Sequence, residues 1–114
     1  MPMRDPIFST KVVRSEGATI IYVQGEIDIA TVERLRDAIE PHMGPRQTIT
    51  LDLSGVEFMD SSCVRVLVQA RGALTADGGS LVLRNPSTVA HRLLTLTGIE
   101  FILAVDAERH PHAI

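Results

Sequence analysis

The sequence predicts an α/β fold: a mostly parallel mixed sheet of about five strands with three or four helices, opened by an antiparallel hairpin. Three observations carry this. Two β-branched runs near the N-terminus are separated only by Ser15-Glu16-Gly17, short enough for a hairpin turn. Beyond Gly25, strand-like and helix-like patterns alternate, and parallel neighbours need crossovers that helices usually supply. Finally, Ile49-Thr50-Leu51-Asp52-Leu53 alternates at period two, while Val64, Leu67, Val68, Arg71 and Leu74 recur at helical spacing (i, i+3, i+4, i+7, i+10). A strand therefore hands over to a helix that begins close to Asp60.

In chain order, Met1 to Pro6 carries two prolines and is expected to be a mobile arm. Phe8 to Arg14 reads as the first strand and Ala18 to Gln24 as the second, ended by Gly25-Glu26-Ile27-Asp28. Asp28 or Thr31 can cap the first helix, whose inward face would be Ile29, Val32, Leu35, Ile39 and Met43. Pro41 and Gly44-Pro45 close it. The central strand leads through Ser54-Gly55-Val56-Glu57-Phe58-Met59 to the helix from Ser61, which stops at Asp77-Gly78-Gly79. Leu81-Val82-Leu83 is a short strand. Ser87 is placed to cap a third helix, with Val89, Leu93 and Leu96 inward and Gly98 as its stop. Phe101 to Val105 reads as the last strand, and Asp106 to Ile114 as a polar, frayed tail. Leu51, Leu53, Leu67 and Val68 are expected to share one core. With three helices, one sheet face would be fully covered and the other partly.

At 114 residues the chain makes one domain, with its core over about 8–105. It is 45% hydrophobic and 22% charged, with no Trp, one Tyr and three Phe, so the core must be aliphatic. A net charge of -3 and scattered basic residues argue against nucleic acid as a partner. No apolar run reaches the ~18 residues of a membrane span, no signal peptide is legible, and the single Cys cannot pair within the chain. A cytoplasmic location is the expectation. His42, His91, His110 and His112 make no metal-ligand pattern with the one Cys, so no metal or other cofactor is expected. Neither a Gly-x-Ser-x-Gly elbow nor a Gly-x-x-x-x-Gly-Lys phosphate loop occurs, which disfavours an enzyme and a nucleotide-binding module alike.

Gly25-Glu26-Ile27-Asp28, Leu51-Asp52-Leu53-Ser54-Gly55-Val56 and Phe58-Met59-Asp60-Ser61-Ser62 together resemble the STAS domain family, in particular the bacterial anti-sigma factor antagonists. The resemblance runs from about Phe8 to Val105. It implies a partner-switching regulator of transcription. The unphosphorylated protein would bind an anti-sigma factor with a histidine-kinase-like ATPase fold, and phosphorylation by that factor would end the complex. The acceptor position in the family corresponds to Ser61, with Ser62 as the alternate. The resemblance also implies that Asp28, Asp60, Ser61, Ser62, Cys63 and Arg65 form the partner-binding surface. An alternative within the family is a non-phosphorylated scaffold subunit of a stress-signalling or lipid-transport complex.

Taken residue by residue, simpler roles stay open. Ser61, Ser62, Asp60 and Asp28 are all good helix caps whatever else they do. Cys63 stands where the family usually has Gly. It suits a small core position, while a helix N-terminus can also lower a thiol's pKa. Arg65, one turn into the helix, can meet an acidic partner or a phosphate, or stand in solvent. The family commonly ends in a further helix that Asp106 to Ile114 is too short to supply, leaving sheet surface for a partner or a homodimer.

Overall fold

The computed structural model describes residues 7–106. The elements are β1 (Phe8–Ser15), β2 (Ala18–Ile27), α1 (Val32–Ile39) with a 3-10 turn at Glu40–His42, β3 (Thr48–Met59), α2 (Ser62–Ala76), β4 (Ser80–Arg84), α3 (Thr88–Thr97) with a 3-10 turn at Ile99–Phe101, and β5 (Ala104–Asp106). The expected arm and all of the expected tail except Asp106 lie outside the described residues.

The five strands lie in the order β1-β2-β3-β4-β5. β1 pairs antiparallel with β2, and every later pairing is parallel. This is the expected mixed sheet with its opening hairpin. Strands that advance one place at a time through right-handed crossovers must place all three helices on the same face. Burial agrees. Ile21, Val23, Ile49, Leu51, Leu53, Leu81 and Leu83 are buried on that face, whereas the intervening Ile20, Thr50 and Val82 are only half-buried. Helical cover is therefore one-sided, and the partial cover expected on the second face comes from no helix among the described residues.

The open face has its own polar centre. Tyr22, Asp52 and Arg84 stand side by side across β2, β3 and β4. Asp52 Oδ1 accepts from the Ser54 backbone N–H (3.0 Å) and hydroxyl (2.6 Å), and Oδ2 accepts from Arg84 Nε (3.1 Å). Arg84 also donates to the Tyr22 hydroxyl (3.2 Å) and lies over its ring. Burial pushes the Asp52 carboxyl up, but the Ser54 hydrogen bonds and the Arg84 guanidinium outweigh it and hold the group below its ordinary value. A buried carboxylate is tolerable only when it is paired in this way.

Several expectations need correction. β3 runs on through Ser54–Met59 instead of ending at Leu53, because two register shifts against β2 absorb the residues that break its alternation; such bulges bend a strand without ending it. Ile29 is 83% exposed, since α1 starts only at Val32. Val68 is exposed beside buried Leu67, and Val89 and Leu96 are exposed while Ala90 and Leu94 are buried. Phe101 and Ile102 belong to a 3-10 turn and its end, leaving β5 only three residues. The spacing that matters there is Ile99 and Leu103, both buried, with Phe101 at 86% exposure between them.

Candidate functional site

β2 and β3 end side by side, with Ile27 opposite Met59, so the residues that follow, Asp28 and Asp60, emerge next to each other at one rim of the sheet. The Asp60 backbone N–H donates to the Ile27 carbonyl at 3.1 Å and fastens the two ends together. Ser61 and Ser62 follow Asp60 directly, so they share this rim with Asp28.

The β2 side is built by Gly25 and Thr31. Gly25 has φ +99, and a Cβ there would collide with the Ile7 carbonyl oxygen, which accepts from Glu26 N–H at 2.8 Å. Only glycine fits a backbone so shaped and so close to its neighbour. Past this point the chain turns into α1. Asp28 Oδ1 accepts from the N–H groups of Ala30 (2.9 Å) and Thr31 (3.1 Å), the local turn that Asp side chains favour. Thr31 is 4% exposed. Its hydroxyl donates to the Glu26 carbonyl (2.8 Å) and accepts from the Asp28 N–H (3.0 Å). Of the two candidate caps, Asp28 supplies the bonds to the helical turn and Thr31 ties that turn back to the strand.

On the β3 side, Asp60 does the capping. Its Oδ1 accepts from the Ser62 N–H (2.9 Å) and the Ser62 hydroxyl (2.5 Å), satisfying one of the free donors at the start of α2. Ser62 is half-buried and its hydroxyl is committed to Asp60. Ser61 occupies the N-cap position with αR backbone, is exposed, and its side chain makes no capping bond. The two hydroxyls are thus unequal: one is held, and the other stands at the surface on a helix N-terminus. Arg65 is exposed on the first turn of α2.

Cys63 departs from the expected surface. It is fully buried in the core, so its thiol cannot touch a partner. Burial first, and the Asp60 carboxylate second, push the thiol up to about 12. This is opposite to the lowering that a helix N-terminus alone would give, and together with the burial it argues against the redox reading. The core role is the one that stands. Among the described residues no group of three or more His, Cys, Asp or Glu could hold a metal ion, and no helix is long and apolar enough to cross a membrane.

Sequence reasoning missed two things here. Thr31 looked like a simple cap, and its buried hydroxyl bridging strand and turn has no one-residue signature. The Asp52–Arg84–Tyr22 network was also missed, although a lone Asp inside an apolar strand was a visible signal.

The STAS domain family model matches residues 9–111. The anti-sigma-B factor antagonist of Bacillus subtilis is 30% identical over 97 residues, covering 85% of this chain and 89% of its own length. The anti-sigma-B factor antagonist of Listeria monocytogenes is 33% identical over 86 residues, 75% of each chain. Among solved structures, an anti-sigma factor antagonist from Mycobacterium paratuberculosis superposes with a TM-score of 0.69 at 30% identity, covering 87% of this chain and 85% of its own. The Bacillus cell fate determinant SpoIIAA in its phosphorylated form shares the fold, with a TM-score of 0.68 at 24% identity and coverage of 92% and 96%. With the mixed sheet, the one-sided helices and the Asp28/Asp60 rim in place, these similarities assign the chain to the STAS domain family, among the anti-sigma factor antagonists.

Proposed function

We infer that this protein binds an anti-sigma factor that is also a Ser kinase of histidine-kinase-like ATPase fold, and that phosphorylation of Ser61 ends the complex. The observation that carries this reading is the division of labour at the start of α2. Asp60 supplies the cap and holds Ser62, while the Ser61 hydroxyl is exposed and uncommitted. A kinase can reach it without breaking a bond that the fold uses.

The physics of the site suits a switch. A phosphate brings roughly -1.5 to -2 charges and three acceptor oxygens. At a helix N-terminus the backbone N–H groups and dipole tolerate such an anion, so the fold survives. At a partner surface fitted to a small hydroxyl, the same group must be desolvated beside Asp60 and cannot be accommodated. The partner-binding surface on this reading is Asp28, Asp60, Ser61, Ser62 and Arg65, all on the rim or the first turn of α2. Cys63 supports that turn from below.

The test is intact-mass analysis of protein purified from its own host, with Ser61→Ala, Ser61→Asp and Ser62→Ala variants. One phosphate is expected on wild type and Ser62→Ala, and none on the other two. Wild type and Ser61→Ala should capture an ATPase-type kinase that Ser61→Asp does not. No phosphate under any growth condition, with the same partners for every form, would move the protein to the scaffold class.

A further inference from the structure

We propose that the buried hydroxyl of Thr31 is a positioning group for this rim, setting Asp28 against Asp60 and Ser61 for partner binding. The proposal rests on the function inferred above and adds a residue that never touches the partner. Thr31 is 4% exposed, so any influence it has on binding must be transmitted.

The route is short. At the end of β2 the ladder with β3 is irregular, with a register shift between Gly25 and Glu26, and a bulge leaves backbone groups without ladder partners. The Thr31 hydroxyl takes the Glu26 carbonyl at 2.8 Å and the Asp28 N–H at 3.0 Å. It therefore spans Ile27, whose carbonyl accepts the Asp60 N–H. Asp60 in turn holds Ser62 through its carboxylate, with Ser61 between them. One buried hydroxyl thus fixes both residues flanking Ile27, the junction where the two halves of the rim are fastened. Helix capping alone does not need this, because Asp28 Oδ1 already supplies the bonds to Ala30 and Thr31.

A matched control exists in the same strand system. Thr19 on β2 is 1% exposed and its hydroxyl has no hydrogen-bond partner. Thr19→Val and Thr31→Val remove the same atom from equally buried sites, and only the second removes bonds to the rim.

The experiment measures the affinity of the unphosphorylated protein for the kinase captured with Ser61→Ala, together with backbone amide NMR shifts. Thr31→Val is expected to bind about five- to tenfold more weakly, the worth of roughly one hydrogen bond. Thr31→Ser, which keeps the hydroxyl, should restore binding to within about twofold, and Thr19→Val should match wild type. Combined with Asp28→Ala, Thr31→Val should add less than it costs alone, because part of its effect runs through Asp28 and the rest through the Ile27–Asp60 junction. The amides of Asp28, Asp60 and Ser61 should shift in Thr31→Val and not in Thr19→Val. Wild-type affinity in Thr31→Val, or an undiminished loss on top of Asp28→Ala, overturns the proposal. Absence of any binding by wild type overturns the function inferred above. In that case unshifted Asp60 and Ser61 amides in Thr31→Val overturn the positioning role as well, and shifted ones uphold it for the rim. If Thr31→Val does not fold, Thr31→Cys, a weak donor of similar size, takes its place with the same expected order.

Discussion

Leu67 and Val68 are neighbours in α2, yet they should respond very differently to truncation. Leu67 is 1% exposed within the core and Val68 is 36% exposed. Leu67→Ala trims a buried isobutyl side chain to a methyl within the packed core, so both transfer and cavity terms apply. The expected loss is about 2–5 kcal/mol. Val68→Ala loses fewer atoms from a side chain that solvent already reaches, and about 1 kcal/mol or less is expected. Urea unfolding followed by circular dichroism measures both, and with m near 1–3 kcal/mol/M for a small domain the midpoints should differ by roughly 0.3 M or more. The m-value should stay constant, so that the midpoint shift reports stability alone. Successive residues on a helix point about 100° apart. Equal losses for the two variants, or a Leu67→Ala loss below about 0.5 kcal/mol, would mean that α2 is rotated on the sheet, and the placement of Ser61 on the rim would fall with it.

Three further outcomes are expected. The Asp52 carboxyl titrates below its ordinary value, so its contribution is complete above the unfolded pKa near 3.9 and is lost as pH falls through the folded value. Asp52→Asn should therefore cost about 1–3 kcal/mol at neutral pH and flatten the acid limb of a melting-temperature profile, and an unchanged acid limb would refute this. Cys63, with its thiol pushed up to about 12, should react with DTNB at pH 8 only through opening of the fold, its rate rising with urea; labelling as fast as a free thiol would contradict its burial. Gly25→Ala should cost more than about 1 kcal/mol and expose the Glu26 amide to exchange, because a Cβ meets the Ile7 carbonyl; a neutral result would disprove the close approach.

What could be read from the sequence was whatever periodicity or a single residue type decides. The order of elements, the opening hairpin, the Ser87 cap (its hydroxyl accepts from Ala90 N–H at 3.1 Å) and the Gly98 stop, at φ +74, all follow from local chemistry. Local chemistry did not decide which of two adjacent stripes turns inward. In α3 the buried residues are Ala90 and Leu94, because a small side chain at Ala90 lets the helix lie close to the sheet, and a pattern weighted towards large residues selects Val89 and Leu96 instead. Phe101-Ile102-Leu103 looked like a strand because an apolar run is ambiguous between periods. The structure resolves it by burying only Ile99 and Leu103 of that segment's large residues. The two Asp residues at the rim were legible individually, but their adjacency depends on β2 and β3 ending in register despite two bulges, which no local pattern encodes.

The same long-range pairing explains why a Ser-Ser pair need not be redundant. Had Ser61 been the cap of α2, a phosphate on it would remove a bond worth about 0.5–2 kcal/mol to the helix, and modification would disturb the fold together with the surface. Instead the cap has moved one residue upstream. Asp60 can take that role because its own N–H is anchored on the Ile27 carbonyl, which fixes its carboxylate over the Ser62 N–H. The cost is that Ser62 becomes part of the scaffold, its hydroxyl held at 2.5 Å. The gain is that Ser61 can change charge while its side chain gives up no capping bond of the helix start. A site of this kind separates what holds the fold from what a partner reads, and that separation is the physical requirement for a domain that must stay folded in both of its proposed states.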